Sequence, residues 1–231
     1  MATSSTIKFG EQNKKLFQSP VLEIGALLTD SYFQETPRSI HEGVTDYIGI
    51  DIFPGNGVDR VLNLCRTSEI PVEWKNYFGT IHCHCVLEHV TDIFTMSKNI
   101  DAITKPGGVL YLTVPFVWKI HRIPLDLWRF TPQSIDYLFP NFEFKKELCR
   151  VATRKNIMSA IDDIPELNLG NGLEKENVLL KYSLKFLRKF KLDRTYFMNR
   201  ALFPEINLIM TGVKREKHHY TFIDQQDIKL L

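Results

Sequence analysis

The chain has 231 residues, of which 44% are hydrophobic and 24% charged, as expected of a globular domain with a buried core. Its 29 basic residues barely exceed its 27 acidic ones, so the net charge of +2 gives no reason to expect nucleic acid or an anionic membrane as a partner. The polar N-terminal segment lacks the apolar core of a secretory signal, and no apolar run approaches the roughly 20 residues of a transmembrane segment. With only four cysteines, the composition predicts a cytoplasmic protein with reduced thiols.

Short apolar segments typical of β-strands alternate with helical segments along most of the chain. Seven strands are predicted, at Val21–Gly25, Tyr47–Asp51, Val58–Leu62, Thr80–Val86, Gly108–Val114, Phe142–Val151 and Ile206–Val213. Helices are predicted over Asp92–Thr104 and over Pro132–Leu138, the second with Thr131 as its N-cap. This alternation predicts an α/β fold of the Rossmann-like, doubly wound kind, with a mostly parallel seven-stranded sheet and helices on both faces.

Glycine and polar residues follow the ends of the predicted strands, where an open parallel sheet binds its ligand. Gly25 ends the first strand and would let the backbone pass close to a ligand. Asp51 ends the next strand, at about the spacing where a nucleoside-binding fold places an acid that accepts hydrogen bonds from ribose hydroxyls. The alternatives are a plain turn glycine at Gly25 and a helix cap or loop turn at Asp51.

Five segments in order resemble class I S-adenosylmethionine-dependent methyltransferases, especially the type 11-like branch. The segments are VLEIGA, YIGIDIFPGNGVDRVLNL, VLEHVTD, ITKPGGVLYLTVPF and HRIPLDLWRFT, which lie between Pro20 and Phe139. The resemblance implies S-adenosyl-L-methionine as the cofactor. Two departures, Leu27 and Thr29 in place of later glycines in the first motif and Gly79 in place of an aspartate, leave open a protein that has kept the fold without the activity.

The resemblance also implies which residues contact the cofactor. Glu23, Gly25 and Ala26 would lie by its methionine and ribose parts. Asp51 would hold the ribose hydroxyls, with Ile52 beside the adenine. Asn63 and Leu64 occupy the place of an acid that meets the adenine amino group, and the end of the fourth strand would line the pocket with Val86, Leu87 and His89.

The segment after the fifth strand carries the candidate catalytic residues His121, Asp126 and Arg129. Methyl transfer from a sulfonium is an in-line displacement, so the protein must align the acceptor and, for a hydroxyl, remove its proton. His121 is the candidate base because neutral imidazole is available at pH 7. Asp126 could orient the histidine or bind acceptor hydroxyls, and Arg129 could clamp an anion or pair with Asp126. The alternative is a structural loop with an Asp126–Arg129 salt bridge.

A His-Cys-His-Cys run in the fourth predicted strand raises the question of a metal. His82 and His84 share one face of the strand, whereas Cys83 and Cys85 point to the other, so the four side chains cannot converge on one ion. We therefore predict a central strand with small packing thiols and no metal site.

Together these patterns predict a single methyltransferase domain over 1–231. It would comprise an N-terminal extension (1–18), a cofactor-binding core (20–151), a lid insertion (152–204), the last strand (205–214) and a C-terminal tail (215–231). Within the insertion, a basic amphipathic helix is predicted from Leu179 to Lys191, packed on its own domain or contacting a membrane or an anionic acceptor.

The predicted function is methyl transfer to a small-molecule acceptor, foremost a hydroxyl of a sugar or secondary metabolite. Small-molecule N-methylation and a noncatalytic partner subunit are the alternatives, and nucleic-acid methylation ranks behind them. The sequence leaves open whether the chain forms a homodimer.

Overall fold

The computed structural model describes residues 3–28, 36–122, 125–153, 157–161 and 205–216, together with positions 182, 186, 189 and 190. The strands in these residues are β1 (Val21–Ile24), β2 (Tyr47–Asp51), β3 (Arg60–Val61), β4 (Phe78–His84), β5 (Thr104–Val117), β6 (Phe142–Thr153), β7 (Met158–Ala160) and β8 (Ile206–Lys214). The helices are α1 (Ser4–Asn13), α2 (Pro37–Ile40), α3 (Ile93–Ile103) and α4 (Pro132–Leu138). Short 3₁₀ turns lie at Lys14–Leu16, Thr67–Glu69, Val72–Trp74 and Leu87–His89.

All of these strands form a single sheet in the order β3-β2-β1-β4-β5-β8-β6-β7. The neighbours from β3 to β5 run parallel, whereas β8 lies antiparallel between β5 and β6. The predicted doubly wound, mostly parallel sheet is therefore confirmed. It has one more strand than predicted, because β7 adds to the edge through a pairing with β6 inside the predicted insertion.

Local capping explains where two of the helices begin. Asp92 accepts a hydrogen bond from the backbone N–H of Thr95 at 3.0 Å and starts α3. Thr131 and Ser134 bond reciprocally as a capping box at the start of α4. Both helices lie within the segments that the sequence predicts to be helical.

The two faces of the sheet differ in chemistry. One face is apolar: Leu22, Ile81 and Leu112 pack there with residues of α3 and α4 in the main hydrophobic core. The other face lies under α1 and α2 and buries polar and aromatic side chains, namely Glu23, Tyr47, His82, His84, Tyr111 and Thr113. Because side chains alternate along a strand, neighbouring residues such as Leu22 and Glu23 serve different faces.

Helix α1 lies in the predicted N-terminal extension and packs on the polar face. The hydroxyls of Thr6 and Thr113 are 3.0 Å apart, and the Tyr111 hydroxyl donates a hydrogen bond to the Thr6 carbonyl. Phe9 is 2% exposed and packs against Tyr111. The first residues of the chain thus cover the sheet and shield its polar side chains from water.

Several predictions concern residues outside the described ranges: Thr29, most of the lid insertion, and the C-terminal tail beyond residue 216. Of the predicted basic helix, the described positions include Tyr182 and Phe186, which are helical and exposed. In the part of the chain that the structure describes, none of the helices has the length and apolar character needed to cross a membrane.

Candidate functional site

The carboxyl ends of β1 and β2 bring Gly25 and Asp51 next to each other. Ile24 lies beside Ile50 in the parallel register. The Ile50 carbonyl accepts hydrogen bonds from the backbone N–H groups of Gly25, at 2.9 Å, and Ala26, at 3.0 Å. The residue after Ile50 is Asp51, so the two sequence signals meet at one edge of the sheet.

The Asp51 carboxylate is held over the turn that leaves β1. One oxygen accepts a hydrogen bond from the Leu27 N–H at 3.3 Å and the other from the Phe53 N–H at 3.1 Å. Each carboxylate oxygen has two lone pairs, so both retain capacity for a further donor. Ile52 and Phe53, which follow directly, are 52% and 53% exposed and form an apolar surface beside the carboxylate.

Gly25 has a left-handed backbone, with φ of +78°, and touches the end of β4. A Cβ atom at Gly25 would lie only 2.5 Å from Cγ2 of Val86. Cys85, the residue before Val86, is also left-handed, with φ of +52°, although it carries a side chain. Glycine adopts this conformation without strain, whereas Cys85 is strained, and strained backbone of this kind is concentrated at functional sites.

Glu23 has its carboxylate on the polar face of the sheet. It accepts a hydrogen bond from the Tyr47 hydroxyl at 2.6 Å and is 8% exposed. Burial raises the pKa of Glu23, an effect that the bond from Tyr47 partly offsets. Its side chain is therefore engaged beneath the strand, two residues before the turn at Gly25.

Of three other predicted cofactor residues, one lies in a turn and two lie in the hydrophobic core. Asn63 accepts a hydrogen bond from the Cys65 N–H at 2.9 Å and so shapes the turn after β3. Leu64 and Leu87 are 3% and 0% exposed, and both side chains belong to the hydrophobic core. Contacts from these two leucines to a bound molecule would therefore come from their backbone groups.

Arg129 and Asp126 form a bidentate ion pair in the loop after β5. The guanidinium nitrogens lie 2.5 and 2.9 Å from the two carboxylate oxygens. The remaining Arg129 donors reach the backbone carbonyls of Trp118, Lys119 and Trp128. The hydrogen bonds from Arg129 hold the pKa of Asp126 well below its usual range. Arg129 was expected either to clamp an anion or to pair with Asp126, and in the structure it pairs with Asp126.

His121 lies against the same carboxylate. Its backbone N–H donates to Asp126 Oδ2 at 2.8 Å, and its side-chain Nδ1 lies 3.3 Å from that oxygen. Nδ1 is buried and makes no hydrogen bond with the described residues. Asp126 thus fixes the main chain of His121 and leaves an imidazole nitrogen without a hydrogen bond.

The structure brings Glu88, His89 and His121 together, a grouping that the sequence does not predict. One ligand-type atom from each lies within 4.8 Å of the others, and the two imidazole rings are 5.1 Å apart. The bond from the Leu127 N–H to the Glu88 carbonyl, at 2.8 Å, folds the loop back over the end of β4. The sequence shows that Glu88 directly precedes His89 in the VLEHV segment, but not that both lie near His121.

His82 and His84, the residues that raised the question of a metal, bond to protein groups instead. His82 Nε2 lies 2.7 Å from His41 Nε2, and its Nδ1 lies 3.0 Å from His84 Nε2. His84 Nδ1 lies 3.0 Å from the Thr113 hydroxyl. This chain of neutral side chains occupies both nitrogens of each of the two histidines.

Comparison with solved structures supports the fold. The chain is similar to the crystal structure of MccD protein, at 14% identity and a TM-score of 0.54, over 92% of this chain and 97% of that one. A SAM-dependent methyltransferase from Archaeoglobus fulgidus matches at 14% identity and a TM-score of 0.50, over 90% and 92% of the two chains. A putative sarcosine dimethylglycine methyltransferase from Galdieria sulphuraria matches at 13% and 0.52, over 93% and 85%. The chain has the class I methyltransferase fold. Its sequence matches no protein-family model and no curated protein significantly.

In the class I methyltransferase fold of this chain, the winding of the sheet reverses between β1 and β4. Open α/β sheets bind their ligands beyond the strand ends at such a reversal. Gly25 ends β1 and Val86 follows β4, so their contact lies at the reversal point, with Asp51 on the neighbouring strand. The group of Glu88, His89 and His121 lies at the same edge of the sheet, in the segments that follow β4 and β5.

Proposed function

We propose that this chain is an S-adenosyl-L-methionine-dependent methyltransferase that acts on a hydroxyl of a small molecule such as a sugar or secondary metabolite. The observation that carries the proposal is the Asp51 carboxylate beside the turn at Gly25, at the point where the sheet reverses. A carboxylate so placed can accept hydrogen bonds from both hydroxyls of a ribose. The class I methyltransferase fold supports the same reaction by analogy.

The residues around Asp51 suit a nucleoside. Its two oxygens each accept one backbone N–H and keep lone pairs for hydroxyl donors. The exposed side chains of Ile52 and Phe53 offer apolar surface for a purine ring. The remaining parts of the cofactor would be surrounded by Gly25, Ala26, Val86, His89 and the Asn63 turn.

Within the acceptor site, the chain supplies a base and a means of holding it. When bound, S-adenosyl-L-methionine would supply an electrophilic methyl group whose leaving group is a neutral thioether, and the chain would have to align the acceptor oxygen with it. The proton of the acceptor hydroxyl passes to the imidazole of His121. Asp126 holds the His121 main chain, and Arg129 holds Asp126, so both are positioning residues in this scheme.

The cofactor half of the proposal is tested by Asp51→Asn. The change removes the charge that strengthens hydrogen bonds from the ribose, so affinity for S-adenosylhomocysteine should fall about tenfold or more in isothermal titration. Asp46→Asn is the matched control, since Asp46 is exposed and lies before the opposite end of the same strand. Equal affinities for both variants would contradict the role of Asp51, whereas a wild-type protein that binds no S-adenosylhomocysteine at millimolar concentration would favour a noncatalytic protein with this fold.

The acceptor half is tested by turnover. Wild-type protein should methylate members of a panel of monosaccharides and phenols in preference to primary amines. His121→Ala should then lower kcat about a hundredfold at saturating acceptor, because a positioned base contributes on that order. Unchanged turnover in His121→Ala would contradict the base, and a preference for amines would favour N-methylation, since a neutral amine needs little help from a base.

A further inference from the structure

The buried carboxylate of Glu88 has no compensating partner on one of its oxygens. Glu88 is 1% exposed, and among the described residues no donor bonds its Oε2. Leaving a carboxylate oxygen buried and unpaired is costly, so such groups are usually paired with a cation or coordinate a metal. The side chains that face it are His89 and His121, each of which offers an imidazole nitrogen.

His89 is held in the tautomer that a metal ligand needs. Its Nδ1 lies 2.5 Å from the Leu125 carbonyl, which can only accept, so Nδ1 carries the proton. In the neutral ring Nε2 therefore has a free lone pair, and it lies 3.9 Å from Glu88 Oε1. An imidazole that donates its other N–H to a carbonyl is the usual arrangement of a metal-binding histidine.

His121 completes a set of two nitrogens and one oxygen. We propose that Glu88, His89 and His121 form a binding site for a divalent first-row transition-metal cation. The three ligand atoms spread over as much as 4.8 Å, whereas ligands bound at about 2.1 Å around a tetrahedral ion lie roughly 3.4 Å apart. The imidazole of His121, whose Nδ1 makes no hydrogen bond with the described residues and lies 3.3 Å from Asp126 Oδ2, is the group that must turn inward.

The donor set limits the class of cation. Imidazole nitrogen suits zinc, iron, cobalt and nickel, whereas magnesium and calcium favour oxygen ligands. Three protein ligands leave a position for another molecule. The use of that position rests on the function proposed above. An acceptor hydroxyl bound to the cation would lose its proton to water more readily, so His121 is a ligand in the metal-loaded protein, and its role as base applies to the metal-free protein.

Titration of the metal-free protein with Co²⁺ tests the site without any nucleoside or acceptor. One Co²⁺ per chain should bind and produce visible absorption bands. Glu88→Gln keeps the shape of the side chain and should weaken binding about tenfold or more, as should His121→Ala. Co²⁺ binding that is unchanged in both variants, or absent from the wild-type protein, would overturn the proposal.

Two controls separate this site from other ligands of the chain. His218→Ala with His219→Ala removes the adjacent histidines near the C-terminus and should leave Co²⁺ affinity unchanged. An intense thiolate-to-cobalt band would instead place the ion on cysteine and contradict the assignment. Titration of the same proteins with S-adenosylhomocysteine distinguishes the two proposals. Cobalt binding without nucleoside binding would contradict only the methyltransferase function, and nucleoside binding without cobalt binding would contradict only the metal site.

Discussion

Gly25 is required by the fold of the free protein as well as suggested by a ligand-binding motif. The sequence motif suggests that glycine leaves room for a bound molecule. In the structure, the space that a Cβ would take is already bounded by Val86, and the backbone there is left-handed. The glycine is therefore needed for the fold itself, whatever binds beside it.

Gly25→Ala should accordingly destabilise the free protein. The left-handed backbone costs a residue with a side chain about 1–2 kcal/mol, and the contact with Val86 adds to that. We expect the free energy of unfolding in urea to fall by about 2 kcal/mol or more. The double variant with Val86→Ala should recover the part due to the contact.

The test is the coupling between the two positions. Val86→Ala alone measures the cost of losing that side chain. In a double-mutant cycle, the cost of Gly25→Ala should be smaller when Val86 is already alanine. Strictly additive changes in the free energy of unfolding would mean that a Cβ at position 25 makes no unfavourable contact with Val86. The backbone conformation alone would then require the glycine.

At the scale of elements, seven of the eight strands in the described residues were predictable, whereas β7 and the first helix were not. Central strands such as β1 and the middle of β5 are mostly apolar and buried, which is the pattern of strands covered on both faces. Helix α1 offers few apolar residues, with Ile7 and Phe9 as its buried large side chains. Its position depends on contacts with Tyr111 and Thr113, more than 100 residues away, which local sequence cannot reveal.

The candidate site likewise has a part that could be predicted from the sequence and a part that could not. Gly25 and Asp51 could be brought together from sequence, because consecutive parallel strands end at one edge of a sheet. Glu88 could not, because its relation to His121 depends on a loop that folds back through the bond between the Leu127 N–H and the Glu88 carbonyl. Loop conformation has no period in the sequence from which it could be predicted.

The whole molecule is asymmetric across its sheet, and this has a consequence for its stability in acid. The face under α3 and α4 is apolar, whereas the face under α1 and α2 buries His41, His82 and His84 in a hydrogen-bonded chain. Burial lowers the pKa of His41 to about 4 and that of His84 to about 3, and lowers the pKa of His82 well below its usual value.

Stability should therefore decline as the pH falls below about 6.5. In that range the unfolded chain binds protons at these histidines and the folded protein does not, so acid favours unfolding until the folded-state pKa values are reached. Above about pH 6.5 the three histidines add no pH dependence. Glu23, on the same face, acts in the opposite sense because its pKa is raised, so it opposes this decline at pH values above its ordinary pKa.

His41→Gln tests the origin of this decline. Urea unfolding between about pH 7.5 and 5.5 should show a slope of stability against pH that is smaller by up to about 1.4 kcal/mol per pH unit, the share of one titrating group. Thr113→Val is the matched control: it removes the hydroxyl partner of His84 without removing a titrating group, so it should lower stability by a similar amount at each pH and leave the slope intact. If instead His41→Gln kept the wild-type slope, His41 would not contribute to the acid sensitivity, which would then have to come from other groups such as His82 and His84.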